Sequence, residues 1–165
     1  MSMSRDQWQD LCVSASQTSD QAVYYRYFTS LKAMPHSRMQ EYVNIDYQST
    51  MSLIGLVGPQ GEGQIVAEGR YVKHASSAWA DLAFLVDEGY QGLGVATYLF
   101  QLLMRAAKVR CLQGFTADVL VGNKAMLRVF EKGSSKAEVH MEGGVYTVHI
   151  PFENNPVCRI NEEED

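Results

Sequence analysis

Two spacings of apolar residues alternate along this chain, one near 3.6 and one near 2, and they divide it into helices and strands. Residues 8–15 read as a short helix. Asp20 suits the N-cap of a second helix that runs to Tyr27 or Phe28, with Tyr24, Tyr25, Tyr27 and Phe28 giving it a greasy side. Pro35 is placed to open a third, continued by residues 36–45. Residues 51–57 are apolar and strand-like, and residues 65–72 form a second strand. Between them Gly58-Pro59-Gln60-Gly61-Glu62-Gly63 is turn chemistry, so the two strands make a hairpin. A polar loop at 74–77 leads into a third strand, 79–86, with Trp79, Asp81, Ala83 and Leu85 on one face.

Gly89-Tyr90-Gln91-Gly92-Leu93-Gly94 follows that strand, and a long helix over 95–109 follows the glycines, with Leu99, Leu102, Leu103 and Ala106 at helical spacing. Residues 115–121 make another strand, and Asn123 caps a helix reaching Lys132. Strands at 138–140 and 145–151 are joined by Glu142-Gly143-Gly144, a hairpin signal. The order predicts a mixed α/β (α+β) domain whose central strand–loop–helix unit carries the glycines. One domain is expected over 1–152, followed by a flexible acidic tail over 153–165 that ends Glu-Glu-Glu-Asp.

Composition narrows the function classes. A chain of 165 residues suits one domain. It can bury roughly 70% of its unfolded surface, enough to fold without a disulfide or metal staple. The apolar content of 46% is too high for a disordered chain. A net charge of −5 weighs against a general nucleic-acid binder. Basic residues still gather at Arg105, Lys108 and Arg110, then at Lys124, Arg128, Lys132 and Lys136, either as solvated helix faces or as local attraction for a phosphate-rich ligand. Cys12, Cys111 and Cys158 are odd in number and lack a CxxC spacing, so free buried thiols are expected, with neither a disulfide framework nor a zinc site. The polar start has no signal-peptide core, and no apolar run approaches the ~20 residues of a membrane span. A cytoplasmic protein is expected, with no metal and no membrane partner, as a monomer or homodimer.

The loop Gln91-Gly92-Leu93-Gly94-Val95-Ala96 joins a strand to a helix. Its small residues let successive backbone N–H groups turn toward one point at the positive end of the helix, a nest suited to a pyrophosphate. It is not a P-loop, because Val95 stands where Lys-Ser/Thr would follow the glycines. It is not a Rossmann turn either, because the third glycine is absent and a hairpin comes first. The residues alone leave the ligand open.

Those six residues resemble the Gln/Arg-x-x-Gly-x-Gly/Ala motif of the GNAT family of N-acyltransferases. The segment Asn123-Lys124-Ala125-Met126-Leu127-Arg128-Val129-Phe130-Glu131-Lys132 is similar to the helix after that fold's fifth strand. Upstream, Tyr24-Tyr25-Arg26-Tyr27-Phe28 and Ile45-Asp46-Tyr47 resemble the GNAT domain of bacterial protein lysine acetyltransferases that modify acyl-CoA synthetases. The resemblance covers roughly residues 16–152. It implies a mixed, mostly antiparallel sheet flanked by helices and splayed open at the acyl-CoA site. It implies acetyl-CoA as co-substrate, its pyrophosphate on the amides of Gln91, Gly92, Leu93, Gly94, Val95 and Ala96. It implies a pantetheine arm paired with Phe84, Leu85 and Val86 and bonded by Asn123, with Phe130 beside it. Four departures stand out: the first strand is reduced to residues 1–6 or missing, Leu93 replaces a basic residue, Phe130 a tyrosine, and Asp81 a glutamate.

Acyl transfer to an amine needs that amine neutral, and a lysine with a pKa near 10.4 is almost all protonated at pH 7; a carboxylate near the amine, directly or through a water, can take the proton. The resemblance assigns this to Asp81, with a strand-end turn or ion pair as its plain alternative. Glu68 on the neighbouring strand is the second candidate, with an exposed hairpin charge as its alternative. Tyr98 is expected to pack, and Tyr90 could pack or bind. His36, His74, His140 and His149 have no metal-ligand spacing and default to surface or hairpin positions. Cys111 has no histidine partner in the sequence and reads as a buried thiol. Three functions remain: acetyl transfer to a protein lysine, acetyl transfer to a small amine, and non-catalytic acyl-CoA sensing, toward which Phe130 and the reduced first strand lean.

Overall fold

The computed structural model describes residues 48–58, 64–153 and 158. The three helices expected before residue 47, Cys12 and most of the acidic tail lie outside the described residues. Within them run β1 (Thr50–Val57), β2 (Gln64–Lys73), β3 (Trp79–Val86), a 3-10 turn (Glu88–Tyr90), α1 (Val95–Val109), β4 (Gly114–Leu120), α2 (Lys124–Gly133), β5 (Glu138–Glu142) and β6 (Val145–Pro151).

The strands form one sheet in the order β1-β2-β3-β4-β6-β5. Every neighbouring pair is antiparallel except β3–β4. A parallel pair needs a crossover, and α1 supplies it between β3 and β4. That pair is short: Trp79 sits opposite Gly114, Ala80 opposite Phe115 and Asp81 opposite Thr116, and the pairing then stops. This is the mixed, mostly antiparallel sheet expected from the sequence, and its strands part beyond Asp81.

Alternation assigns the two faces. Ala67 and Tyr71 of β2, Ala80, Leu82, Phe84 and Val86 of β3, Phe115, Ala117 and Val119 of β4, and Val148 and Ile150 of β6 are buried in one core with α1 and α2. The helix α1 presents Leu99, Phe100, Leu103 and Ala107 to that core. Its buried stripe is turned slightly from the expected one: Leu102 and Ala106 sit on its flank, and Phe100 reaches in to meet Phe84 and Phe130 edge-on. Tyr98, expected to pack, is instead 63% exposed.

The opposite face carries Glu68, Arg70, Asp81, Ala83, Leu85, Thr116, Asp118, Thr147 and His149 at alternating positions. The β5–β6 hairpin turns through Gly143 at φ 58° and Gly144 at φ 80°, as a two-residue turn with both central residues left-handed requires.

The cysteines correct the sequence expectation. Cys111 and Cys158 form a disulfide with a Cα–Cα distance of 5.5 Å, where free buried thiols were expected. Cys111 is also exposed rather than buried. It follows α1 at φ 59°, where Leu112 N–H bonds back to the Ala107 carbonyl and ends the helix. That reversal turns Cys111 toward the chain after β6, where Phe152 N–H bonds the Gln113 carbonyl. A contact between residues 47 apart leaves no spacing signature in the sequence.

Candidate functional site

The site begins where β3 ends. Asp87 accepts from Gly89 N–H at 3.0 Å and starts the 3-10 turn, and the Gln91 side chain donates to the Val86 carbonyl at 3.0 Å. Gln91 therefore pins the glycine turn to the strand. Gly92 (φ 74°) and Gly94 (φ 84°) are left-handed, and a Cβ on either would point into space with no atom within 4 Å. Gly94 is also the N-cap of α1 and offers no side-chain cap. The first amides of α1 are thus left for an anion, and the helix dipole favours one there.

A groove of about 530 Å³ opens at this turn. Phe84, Leu85 and Val86 form one wall, Tyr90, Gln91, Gly92, Gly94, Val95 and Ala96 its end, and Asn123 with the exposed face of α2 the other wall. Lys124, Arg128 and Lys132 recur every four residues along α2 and all line the groove. The basic cluster noted in the sequence thus divides by place. These three face the groove, whereas Lys136 pairs with Glu153 at 3.4 Å, Lys108 lies over the Phe152 ring, and Arg110 bonds the Ala106 carbonyl. The Leu93 side chain is 70% exposed and lies outside the lining, leaving its backbone as its contribution to the turn.

The groove shares Phe84, Asn123 and Met126 with a smaller cavity further along β3. That cavity lies where β3 and β4 part, between Leu82, Ala83 and Phe84 on one side and Asp118 and Val119 on the other, closed by Met126 and Phe130. Its lining includes residues from both alternating sets of β3 and β4. Asn123 caps α2 through its carboxamide oxygen, which accepts from Met126 N–H at 3.2 Å; its amide nitrogen remains for a ligand in the groove. Phe130 is 1% exposed and has no proton to give.

The two candidate carboxylates have opposite surroundings. Glu68 is 1% exposed; Ser52 donates to its Oε1 at 3.1 Å, and Oε2 has no hydrogen-bond partner among the described residues. The Asp81 side chain is 71% exposed and stands at the fork of β3 and β4. Glu68 lies opposite Leu85, four residues further along β3 and so ~13 Å from Asp81. The fold does not bring the two to one amine.

Around Asp81 are two residues the sequence left unassigned. Thr116, its partner across the parallel pair, donates to Oδ1, and His74 Nε2 meets the same oxygen at 2.8 Å. His74 had defaulted to a surface or hairpin position; it lies in the hairpin connection, and the return of the chain from β2 into β3 turns it onto Asp81. Thr116 was findable in principle, as a polar residue two places into a strand that must pair beside β3. Among the described residues, no group of His, Cys, Asp and Glu is arranged to hold a metal, and no helix is long and apolar enough to cross a membrane.

Known proteins resemble this chain in sequence and fold. The family model described as "Acetyltransferase (GNAT) family" matches residues 17–134. An acetyltransferase Pat of Mycolicibacterium smegmatis is 28% identical over 109 residues, which are 66% of this chain and 32% of that protein. An acetyltransferase of Pseudomonas aeruginosa is 25% identical over 62% of this chain and 55% of its own. This chain therefore spans between a third and just over half of these curated relatives. Among solved structures, the GNAT domain of S. lividans PAT superposes with a TM-score of 0.78 at 25% identity, covering 92% of this chain and 89% of that one.

Proposed function

Because this chain belongs to the acetyltransferase (GNAT) family, we propose that it moves an acetyl group from acetyl-CoA to a primary amine, with a protein lysine as acceptor and Asp81 as general base. One observation carries the reading: the groove at the anion-binding turn adjoins a cavity where β3 and β4 part, and the exposed Asp81 stands at the last paired position of those two strands. The glycine turn and the first amides of α1 hold the pyrophosphate. Lys124, Arg128 and Lys132 attract the phosphates. The free backbone groups of Phe84, Leu85 and Val86 pair with the pantetheine arm as an added strand would, and Asn123 bonds it from the other wall. The thioester then lies toward the place where β3 and β4 part, and the amine arrives from the face that carries Asp81.

The proton accounting is simple. Asp81 takes one proton from the ammonium, directly or through a water, and the neutral nitrogen attacks the thioester carbon. The C–S bond breaks, and the thiolate takes its proton from water or from the attacking nitrogen, since Phe130 supplies none. The exposure of Asp81 favours an acceptor lysine on a macromolecular surface over a small amine in a closed pocket. The likeness of residues 24–28 and 45–47 to protein lysine acetyltransferases supports the same acceptor, an acyl-CoA synthetase being the expected partner.

Thiol release from acetyl-CoA, measured with a lysine-bearing protein, with a polyamine and with neither, tests the reading. Release should quicken with the protein acceptor. Asp81→Asn should slow it 10²–10⁴-fold, the usual contribution of a general base. The deficit should shrink as pH rises and more acceptor is already neutral. If acetyl-CoA binds and no amine provokes release, an acyl-CoA sensor replaces the enzyme.

A further inference from the structure

The Asp81 carboxylate is exposed, and an exposed aspartate turns freely about χ1 and χ2 unless something holds it. Two donors converge here on one of its oxygens. Thr116 Oγ1 and His74 Nε2 both meet Oδ1, and no contact among the described residues involves Oδ2.

The tautomer of His74 follows from its partners. An ionised carboxylate has no hydrogen to give, so Nε2 carries the hydrogen and donates it. In the neutral ring Nδ1 is then an acceptor, and Ser77 Oγ stands 3.3 Å from it. Ser77 Oγ in turn accepts from Trp79 N–H at 3.3 Å, and its own hydrogen is free for Nδ1. The base of the histidine is fixed as well, since His74 N–H bonds the Trp79 carbonyl at 2.8 Å. A directed chain results: Trp79 N–H to Ser77, Ser77 to His74, His74 to Asp81. Its start is backbone and its end is the carboxylate at the fork.

We infer that His74 is a positioning residue for this reaction, its Nε2–H holding Oδ1 against Thr116 so that Oδ2 is presented to the incoming amine. The inference rests on the reading of Asp81 as the base. An exposed polar contact of this kind adds little to stability, so it is poorly explained as a fold-holding one. Positioning has a larger lever, because a reacting group displaced by about an ångström can lose up to ~100-fold in rate.

The role needs a neutral donor at the place of Nε2 and does not need an imidazole. The amide nitrogen of glutamine reaches about as far as Nε2, whereas that of asparagine stops near the place of Nδ1. His74→Phe and His74→Asn should therefore lower kcat about tenfold, with His74→Gln within about threefold of the parent. KM for acetyl-CoA should stay unchanged in all three, because none touches the groove. In the parent, imidazole ¹⁵N shifts should report the Nε2–H tautomer, whatever the activity.

The outcomes separate the two readings when Asp81→Asn is measured alongside. Slow turnover in Asp81→Asn with normal turnover in His74→Phe overturns the positioning role and leaves the base in place. Normal turnover in Asp81→Asn overturns both. His74→Gln as slow as His74→Phe shows that the ring does more than donate, and overturns positioning. An Nδ1–H tautomer overturns it without any assay.

Discussion

At the scale of single residues, burial decides which polar groups are available for chemistry. Asp81 and Glu68 are both carboxylates on central strands, yet one is exposed and the other is enclosed, with one oxygen unpartnered among the described residues. Tyr71 shows the same cost in a phenol. It is 1% exposed, and among the described residues the Arg110 side chain is the polar group its hydroxyl meets, without the geometry of a good hydrogen bond. Burial pushes its pKa above the usual 10.0, and the nearby Arg110 guanidinium offsets part of that rise. Above pH ~10 the unfolded chain loses this proton while the folded one keeps it, so stability is intact below that pH and falls as pH rises toward the folded pKa. Tyr71→Phe should flatten this alkaline decline. At neutral pH it should change stability little, because the buried hydroxyl it removes has only a weak contact with the Arg110 side chain to lose. Denaturant midpoints of parent and variant across pH 7 to ~11 check both expectations.

At the scale of elements, the β3–turn–α1 unit makes the anion site, and its two left-handed glycines are what shape it. Gly94→Glu should abolish the stabilisation by acetyl-CoA, because the new side chain enters the space reserved for the pyrophosphate and brings a like charge to the helix N-terminus. It also places a non-glycine residue at φ 84°, at a cost of about 1–2 kcal/mol, which the fold should survive. In the parent, acetyl-CoA at ~100 times its Kd should add about 2.7 kcal/mol, seen as a rise in Tm. A Gly94→Glu protein with an undiminished rise would move the ligand away from this turn. The turn itself was legible from Gln91 to Ala96, since glycines between an apolar strand and an amphipathic helix mark a strand-to-helix turn, though its ligand was named only by the family resemblance. The division of labour within α2 was not. Spacing of four puts Lys124, Arg128 and Lys132 on one face, but only packing against α1 and the core sets that face toward the groove.

At the scale of the molecule, the Cys111–Cys158 bridge ties the end of α1 to the chain beyond β6 and closes a loop spanning a sequence separation of 47. By loop entropy such a closure removes about 4 kcal/mol of freedom from the unfolded chain. Reduction, or Cys111→Ser, should therefore lower the unfolding free energy by up to that amount while leaving acetyl-CoA affinity unchanged, because the bridge lies outside the groove-lining residues. Unfolding with and without reductant, read beside acetyl-CoA binding, is the check. The bridge persists in oxidising surroundings and opens in reducing ones, so the result also reports how the protein would differ between compartments.

The sequence by itself determined the described strands and helices to within a residue or two, the glycine turn, the helix cap at Asn123 and the family, because each of these rests on local spacing and on side chains that act through their own backbone. Only the tertiary structure decided what depends on distant parts meeting. It brought His74 and Thr116 onto Asp81, enclosed Glu68, turned three basic residues into the groove and joined Cys111 to Cys158. The physical reason is the short parallel pair. Strands β3 and β4 are adjacent only because α1 carries the chain across, and where their pairing ends, residues 35 apart in sequence share one carboxylate oxygen.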